Sequence, residues 1–246
     1  MSYAISRRIL EAKGNVFAHE IAGERVFVKK KLLSKNPLGR LAQRILFAAT
    51  GNILLLPPDS PRRAGASYET RMLRALAAKG VNVPAVLCDE DDYFVMENAG
   101  ESLYEVLRDS PEGREDLAVR SIIELRRLHD LGFAHGGAQI KNMTVRDNVI
   151  LFIDFEEAIP DRHLAAFQVR DLFLFLLSLE RCGFNPDLPK LLAAYSGSEP
   201  DSKAMQLLPL LKKWKILNIS NWRIFSKLKI RDIRALSSLV DKANAL

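Results

Sequence analysis

The chain has 246 residues, 48% of them hydrophobic and 27% charged, which is enough apolar sequence to build one large domain or two small lobes. Its longest apolar run, residues 172–179, is far shorter than the roughly 20 residues of a membrane-spanning helix, and neither Cys88 nor Cys182 has metal-ligand spacing. A transmembrane protein and a cysteine metal site are therefore disfavoured, and free thiols in a cytoplasmic protein are predicted.

The net charge of +6 is unevenly distributed. Residues 25–47 and 212–234 are strongly basic and carry apolar residues between the charges. Such segments attract polyanions such as nucleotides, nucleic acids and anionic membrane surfaces, although solvated helix faces have a similar composition. Trp214, Trp222 and Phe225 lie among these charges instead of on strands, which favours a membrane-interface helix and disfavours nucleic acid as a partner.

Strands dominate the predicted elements before about residue 97. Short alternating runs broken by glycines predict antiparallel strands, and an acidic turn separates two further apolar runs. A less regular stretch at 32–66 contains an amphipathic segment at 38–49, and it precedes a helical period that starts near Ser67 and ends at Gly80. The predicted strands are 8–12, 16–21, 25–30, 83–87 and 93–97.

Helices dominate after residue 97. A short helix is predicted at 103–107 and a long amphipathic one at 115–131, and the chain is largely helical from residue 164 onward. One β-rich island at 144–155 has Asp147-Asn148 as its turn. This segregation of strands and helices predicts an α+β fold of two packed units and not a doubly wound sheet.

Two neighbouring motifs carry the most specific signal. Residues 135–142 read HGGAQIKN after a helix that ends in Leu-His, and residues 151–156 read LFIDFE. Together they closely resemble the catalytic loop and metal-binding strand of small bacterial lipopolysaccharide-core (Kdo) kinases and small atypical kinases. The resemblance implies a protein-kinase-like bilobal fold. Its small β-rich N-lobe would span residues 1–97 with an insertion at 32–66, and its helical C-lobe would span residues 98–246.

Three further segments, which precede these motifs in the chain, occur in the order that the resemblance requires. The run VFVK ending at Lys29 looks like the third kinase strand, whose lysine pairs with nucleotide phosphates, and Glu69 stands where a helical glutamate fixes that lysine. The run YFVME looks like the last N-lobe strand, so backbone groups from Glu97 to Ala99 would receive the adenine.

The cofactors implied by the resemblance are ATP and Mg²⁺. Asn142 and Asp154 stand at its metal-binding positions, and both offer oxygen ligands of the kind that Mg²⁺ prefers. Asp171, at the start of the apolar run, would brace the catalytic loop from below. In proteins of this fold, the histidine at the position of His135 commonly braces the metal-binding loop.

The resemblance breaks at Gly137, which stands where the catalytic aspartate is expected. Glycine can neither orient a hydroxyl group nor take its proton, and the loss of a general base costs about 10²–10⁴ in rate. Gln139 is a candidate for contact with the transferred phosphate. The candidates for a replacement base are Glu156, Glu157, His135 and, less strongly, His129, besides the substrate itself.

Three functions remain open at this point. The favoured one is a phosphotransferase with an atypical catalytic loop, acting on a bacterial envelope glycan, a lipid or another hydroxyl acceptor. The second is a pseudokinase that binds nucleotide and Mg²⁺ and serves a protein partner. In the third, the nucleotide site is vestigial and the basic segments bind a membrane or a nucleic acid. The basic segments would place the protein at the inner face of the cell membrane.

Overall fold

The computed structural model describes residues 3–31, 66–110, 112–197, 203–216 and 230–246. The amphipathic segment predicted at 38–49, nearly all of the insertion at 32–66, and Trp222 and Phe225 of the second basic segment lie outside these residues. Within the described stretches, no helix is both long and apolar enough to cross a membrane. Both cysteines are free thiols, as predicted.

The N-terminal part of the molecule is a four-stranded antiparallel sheet. Its strands are β1 (Val16–Ile21), β2 (Glu24–Lys30), β3 (Val86–Asp89) and β4 (Tyr93–Glu97), in the order β1-β2-β4-β3. Ala22 and Gly23 both have positive φ in the turn between β1 and β2, which suits the right-handed twist of a hairpin. Three of the predicted strands are thereby confirmed, whereas the strand predicted at 83–87 begins only at Val86.

The strand predicted at residues 8–12 is wrong, because these residues form helix α1 (Arg7–Ala12). The two apolar side chains of this segment are adjacent, so they do not alternate as in a strand, and both pack against the outer face of the sheet. An ion pair between Arg7 and Glu11, one turn apart at 3.2 Å, further favours the helix.

Helix α2 (Ala66–Ala78) packs against β3 and β4, on the opposite face of the sheet from α1. Leu73 and Leu76 are fully buried, as the predicted helical period requires. The helix ends at Gly80, which has a φ of +75°, and the next residue donates its N–H back to the Leu76 carbonyl at 3.0 Å. This packing buries one face of α2 and carries Glu69, on that same face, toward β2.

The C-terminal part is mainly helical, as predicted. A small antiparallel sheet follows the N-terminal sheet, in the order β5-β6-β7, with β5 at Glu101–Ser102, β6 at Met143–Arg146 and β7 at Val149–Phe152. Asp147 and Asn148 both have positive φ, which confirms the predicted turn between β6 and β7. The helices are α3 (Leu103–Asp109), α4 (Arg114–Asp130), α5 (Leu164–Arg181), α6 (Leu188–Ser196), α7 (Lys203–Ile216) and α8 (Ile230–Asn244).

Helix α5 is the centre of the C-terminal part, because α4, α7 and α8 all pack against it. Leu172, Phe175, Leu176 and Leu179 have no exposed surface, so the apolar run is a core helix. The same buried helix also carries Asp171, whose side chain lies under the loop that joins α4 to β6. The core of the C-terminal part therefore fixes the position of that loop.

Candidate active site

Lys29 brings three distant segments of the chain together. Its ammonium nitrogen lies 2.6 Å from Glu69 Oε2, 2.6 Å from Asp154 Oδ1 and 3.1 Å from Glu156 Oε1. Lys29 comes from β2 and Glu69 from α2, and the other two follow β7, so the four side chains lie where the sheet meets the C-terminal part. We call these four residues the Lys29 cluster.

The electrostatics of the Lys29 cluster favour the charged forms of Lys29 and Asp154. Burial on its own would lower the pKa of Lys29, but Glu69 and Asp154 outweigh it and raise that pKa above its ordinary value. Burial raises the pKa of Glu69 to about 7, against the opposing effect of Lys29. Burial also disfavours the ionised form of Asp154, yet Lys29 holds its pKa below the ordinary value. At neutral pH the lysine is therefore a cation and Asp154 an anion.

Asp154 has a strained backbone. Its φ is +70°, in the left-handed region that residues other than glycine adopt at an energetic cost of about 1–3 kcal/mol. The backbone N–H of Glu156 donates to the Asp154 carbonyl at 3.1 Å, which closes a tight turn over the two acidic residues. Strain of this kind persists where the surrounding structure holds it in place, and it often occurs at functional sites.

The loop between α4 and β6 is held from below by one buried carboxylate. Asp171 Oδ2 accepts the backbone N–H groups of His135 at 2.6 Å and Gly136 at 3.1 Å, and its Oδ1 accepts that of Ala138 at 3.2 Å. Burial on its own would raise the pKa of Asp171, but His129 and the N–H of Gly136 outweigh it and lower that pKa. The predicted bracing role of Asp171 is confirmed.

Replacing Asp171 with alanine is expected to lower the free energy of unfolding by about 3–5 kcal/mol, because it leaves three buried N–H donors without an acceptor. Urea denaturation of the purified variant measures this loss. Asp116→Ala is a matched control, since Asp116 is exposed on α4. A loss below about 1 kcal/mol for Asp171→Ala would show that the loop is held by other contacts.

His135 and His129 both make structural contacts in this arrangement. His135 is buried, its Nε2 lies 2.8 Å from the Ile153 carbonyl, and its ring stacks on Phe155 with centroids 4.4 Å apart. His129 is buried beside Tyr195, with Nδ1 2.6 Å from the tyrosine hydroxyl, and burial lowers its pKa. His135 Nδ1 has no hydrogen-bond partner among the described residues and would lie 3.9 Å from a Cβ atom at Gly137, so the role of His135 as a replacement base stays a prediction.

Gly137 lies at the open side of the braced loop. Its φ is not positive, and a Cβ atom added there would lie 3.7 Å from Asn142 Nδ2 and 3.9 Å from His135 Nδ1, which are ordinary contact distances. The backbone therefore does not require glycine at this position. What Gly137 changes is the chemistry, since the loop presents no proton-accepting side chain there.

Asn142 is oriented by the same loop. Its Nδ2 donates to the Gly137 carbonyl at 2.9 Å, so its amide oxygen is the atom that it can offer to a cation. The backbone N–H of Ile153 donates to the Asn142 carbonyl at 3.0 Å, which ties the loop to the residue before Asp154. Gln139 is half-buried, and its backbone groups bond to Gly137 and Asn142 within the loop.

The donor set fits a divalent cation of the Mg²⁺ type. The carboxylate oxygens of Glu69, Asp154 and Glu156 lie within 4.8 Å of one another, and carboxylates are the ligands that Mg²⁺ and Mn²⁺ prefer. The ammonium of Lys29 lies among these oxygens and is a positive charge in the same place. Of these three carboxylates, those of Asp154 and Glu156 are 35% and 22% exposed, whereas that of Glu69 is only 1% exposed behind the lysine.

The predicted hinge lies between the two parts of the molecule. Arg146 of β6 contacts it twice, donating to the Asn98 carbonyl at 2.6 Å and pairing with Glu97 Oε2 at 3.1 Å. Glu97 Oε1 accepts the backbone N–H of Ala85 at 2.9 Å, and Ala99 is buried. The Glu97 side chain therefore braces the hinge, and any contact with adenine would come from backbone groups.

The two-part α+β architecture and the Lys29 cluster are those of a protein-kinase-like bilobal fold, which confirms the predicted fold class. A comparison with protein families supports this, since the family model described as the RIO domain, of the atypical protein-kinase-like superfamily, matches residues 59–175. The matched stretch contains Glu69, Asn142, Asp154 and Asp171, whereas Lys29 precedes it. The match supports a kinase-like phosphotransferase, for which nucleotide binding is expected.

Two curated proteins are similar to part of the chain. The KEOPS complex subunit Bud32 of Pyrococcus abyssi (strain GE5 / Orsay) is 34% identical over 116 residues, which is 46% of this chain and 52% of that protein. An uncharacterized protein of Haemophilus influenzae (strain ATCC 51907 / DSM 11121 / KW20 / Rd) is 30% identical over 131 residues, which is 52% and 53% of the two chains. The chain thus spans about half the length of the curated relatives that it matches.

Two features of the site were missed in the sequence. The contact of Arg146 with the hinge joins residues 48 positions apart, and no local pattern marks it. The ion pair between Glu156 and Lys29 was not predicted either, although Glu156 was named as a candidate base and lies two residues after Asp154. That spacing was the available signal, because a tight turn places such residues on one side.

Proposed function

We propose that this protein binds ATP with Mg²⁺ between its two lobes and transfers the terminal phosphoryl group to an acceptor. The observation that carries the proposal is the Lys29 cluster, in which a buried lysine is held at 2.6 Å by Glu69 and by Asp154. A fixed cation and a metal-binding carboxylate at one place are what phosphoryl transfer needs to position and neutralise a triphosphate.

Glu69, Lys29 and Asp154 would each have a separate task. Glu69 holds Lys29 in place, and the lysine contacts the phosphates. Asp154 and Asn142 hold the Mg²⁺ ion, which neutralises phosphate charge when it is bound. The proton of a hydroxyl acceptor would go to the substrate itself, to Glu156, to Glu157 or to His135, whose Nδ1 has no partner in the part of the chain that the structure describes.

The acceptor that we propose is a hydroxyl group of an envelope molecule. A bacterial envelope glycan or lipid is suggested by the resemblance to lipopolysaccharide-core kinases and by the basic segments at 25–47 and 212–234. The same segments support attachment to an anionic membrane surface, through attraction of about 1 kcal/mol per lysine or arginine near the headgroups. Both remain proposals, because most of these segments lies outside the described residues.

A pseudokinase is the second candidate, and Gly137 is the observation that favours it. The protein would bind the nucleotide without turning it over and would present its surface to a protein partner. A similar protein is named as a subunit of the KEOPS complex, so assembly with other proteins has a precedent among the relatives. Nucleotide binding is common to both candidates, whereas turnover separates them.

Replacing Asp154 with asparagine is expected to abolish the Mg²⁺-dependent part of ATP binding, a loss of about tenfold or more in affinity, because a neutral ligand replaces an anionic one. Asparagine tolerates the positive φ at this position, so the variant should fold. Thermal shift with ATP, with and without Mg²⁺, measures the effect. Asp161→Asn, at an exposed position, is the control, and an unchanged Mg²⁺ effect in Asp154→Asn would contradict the proposal.

A further inference from the structure

Glu156 is the fourth member of the Lys29 cluster and, up to this point, only a candidate for the replacement base. Its Oε1 lies 3.1 Å from the Lys29 ammonium, beside Asp154 and within 4.8 Å of the other carboxylate oxygens. Its side chain is 22% exposed and that of Asp154 is 35% exposed, whereas that of Glu69 is 1% exposed. Asp154 and Glu156 therefore form the more exposed side of the cluster.

The backbone aims these two carboxylates at the same point. The left-handed conformation of Asp154 and the hydrogen bond from the Glu156 N–H to the Asp154 carbonyl fold the segment into a tight turn. The carboxylates at the two ends of this turn both reach Lys29, and Lys29 is held from its other side by Glu69. The ammonium group of Lys29 thus already lies where two partly exposed carboxylates converge.

We propose that Glu156 is a ligand of the divalent cation, beside Asp154 and Asn142, and that Lys29 is the cation that the metal displaces from these carboxylates. This inference rests on the proposed function. In the nucleotide-free protein Lys29 neutralises Glu156 and Asp154. When the metal arrives with the nucleotide, Lys29 keeps Glu69 and turns its charge to the phosphates.

The charge balance of the site supports this assignment. Gly137 adds no carboxylate to the loop, so Asp154 alone would give a divalent cation a single anionic protein ligand among the described residues. Glu156 supplies a second negative charge, and metal affinity rises with the number of charged ligands. Competition with Lys29 then makes metal binding depend on the nucleotide, because the phosphates must compensate the displaced lysine.

The test is Mn²⁺ binding followed by electron paramagnetic resonance, with Mn²⁺ as the probe in place of Mg²⁺. In the presence of ATP, Glu156→Gln is expected to bind Mn²⁺ about tenfold or more weakly than the wild type. Glu157→Gln is the matched control, since it removes the same charge one residue further along and its carboxylate is outside the close acidic cluster. A loss of similar size in both variants would show a field effect only, and would overturn the assignment.

Competition between Lys29 and the divalent cation for the carboxylates can be measured separately. Without nucleotide, Lys29→Met is expected to bind Mn²⁺ about tenfold or more tightly than the wild type, because the displaced cation is gone. Lys29→Gln repeats the measurement if the methionine variant does not fold. Unchanged or weaker Mn²⁺ binding in the variant that folds would overturn the displacement.

These outcomes are distinct from a failure of the proposed function. If wild-type protein binds no ATP in the presence of Mn²⁺, the proposed function and the inference fail together. If the wild type binds ATP with Mn²⁺, and Asp154→Asn loses the metal while Glu156→Gln keeps it, only the role of Glu156 fails.

Discussion

Replacing Gly137 with aspartate is expected to raise phosphoryl transfer by about 10²–10⁴, the usual contribution of a general base. The side chain should fit without strain, because φ at Gly137 is not positive and the nearest atoms to an added Cβ lie 3.7 and 3.9 Å away. The loop around it is already braced by Asp171. Incubation with labelled ATP and an envelope glycolipid extract measures the transfer.

Gly137→Asn is the matched control for this experiment, because asparagine has nearly the size of aspartate and accepts no proton at neutral pH. Labelling by the aspartate variant alone, with none by the wild type, would support the pseudokinase candidate. Labelling by the wild type that aspartate does not increase would contradict the prediction, since a base would then already be in place.

Replacing Lys29 with methionine is expected to weaken ATP binding by roughly 10- to 150-fold, which corresponds to about 1.5–3 kcal/mol for a hydrogen bond between charged groups. The variant also leaves the carboxylates of Glu69, Asp154 and Glu156 without their shared cation, so its stability should fall in the absence of metal. Isothermal titration with ATP and Mg²⁺ measures the affinity.

Lys31→Met is the control for the lysine experiment. Lys31 is buried to a similar degree, with 13% of its side chain exposed against 12% for Lys29, and it pairs with Asp89 at 2.8 Å outside the cluster. Its replacement should cost stability without changing ATP affinity. Equal loss of affinity in the two variants would show that the effect is general and not due to the Lys29 cluster.

Much of the fold could be predicted from periodicity, because burial imposes it. The alternation in β2 and the period of 3.6 in α2 and α4 follow from which faces are buried, whereas β4 is a continuous apolar run that is buried on both faces. All four elements lie close to the predicted bounds. Helix α1 was mistaken for a strand because six residues give too short a pattern to separate the two periods. Its ion pair between Arg7 and Glu11 was the better local signal.

The residues of the candidate site could largely be predicted from the sequence, but most of the contacts between them could not. Asn142 and Asp154 lie in motifs of fixed spacing, and that spacing is short enough to be recognised along the chain. The pairing of Lys29 with Glu69 crosses 40 positions and depends on how α2 packs on the sheet, so the sequence could only suggest it by analogy. The structure brings these two and Asp154 together, while their roles in catalysis remain predictions.

What the sequence could not provide is how side chains are engaged by their surroundings. The stacking of His135 on Phe155 and the contact of its Nε2 with the Ile153 carbonyl could not be read from the sequence. Arg146 looked like an ordinary strand residue, yet it bonds to the hinge. Such contacts depend on tertiary packing between distant segments, which no local pattern specifies.

A crystal structure with Mg²⁺ and a non-hydrolysable ATP analogue tests the central claim most directly. We predict that the triphosphate lies within hydrogen-bonding distance of the Lys29 ammonium and that the metal is bound by Asn142 and Asp154. A nucleotide bound elsewhere, with Lys29 still held by all three carboxylates at saturating analogue concentration, would contradict it.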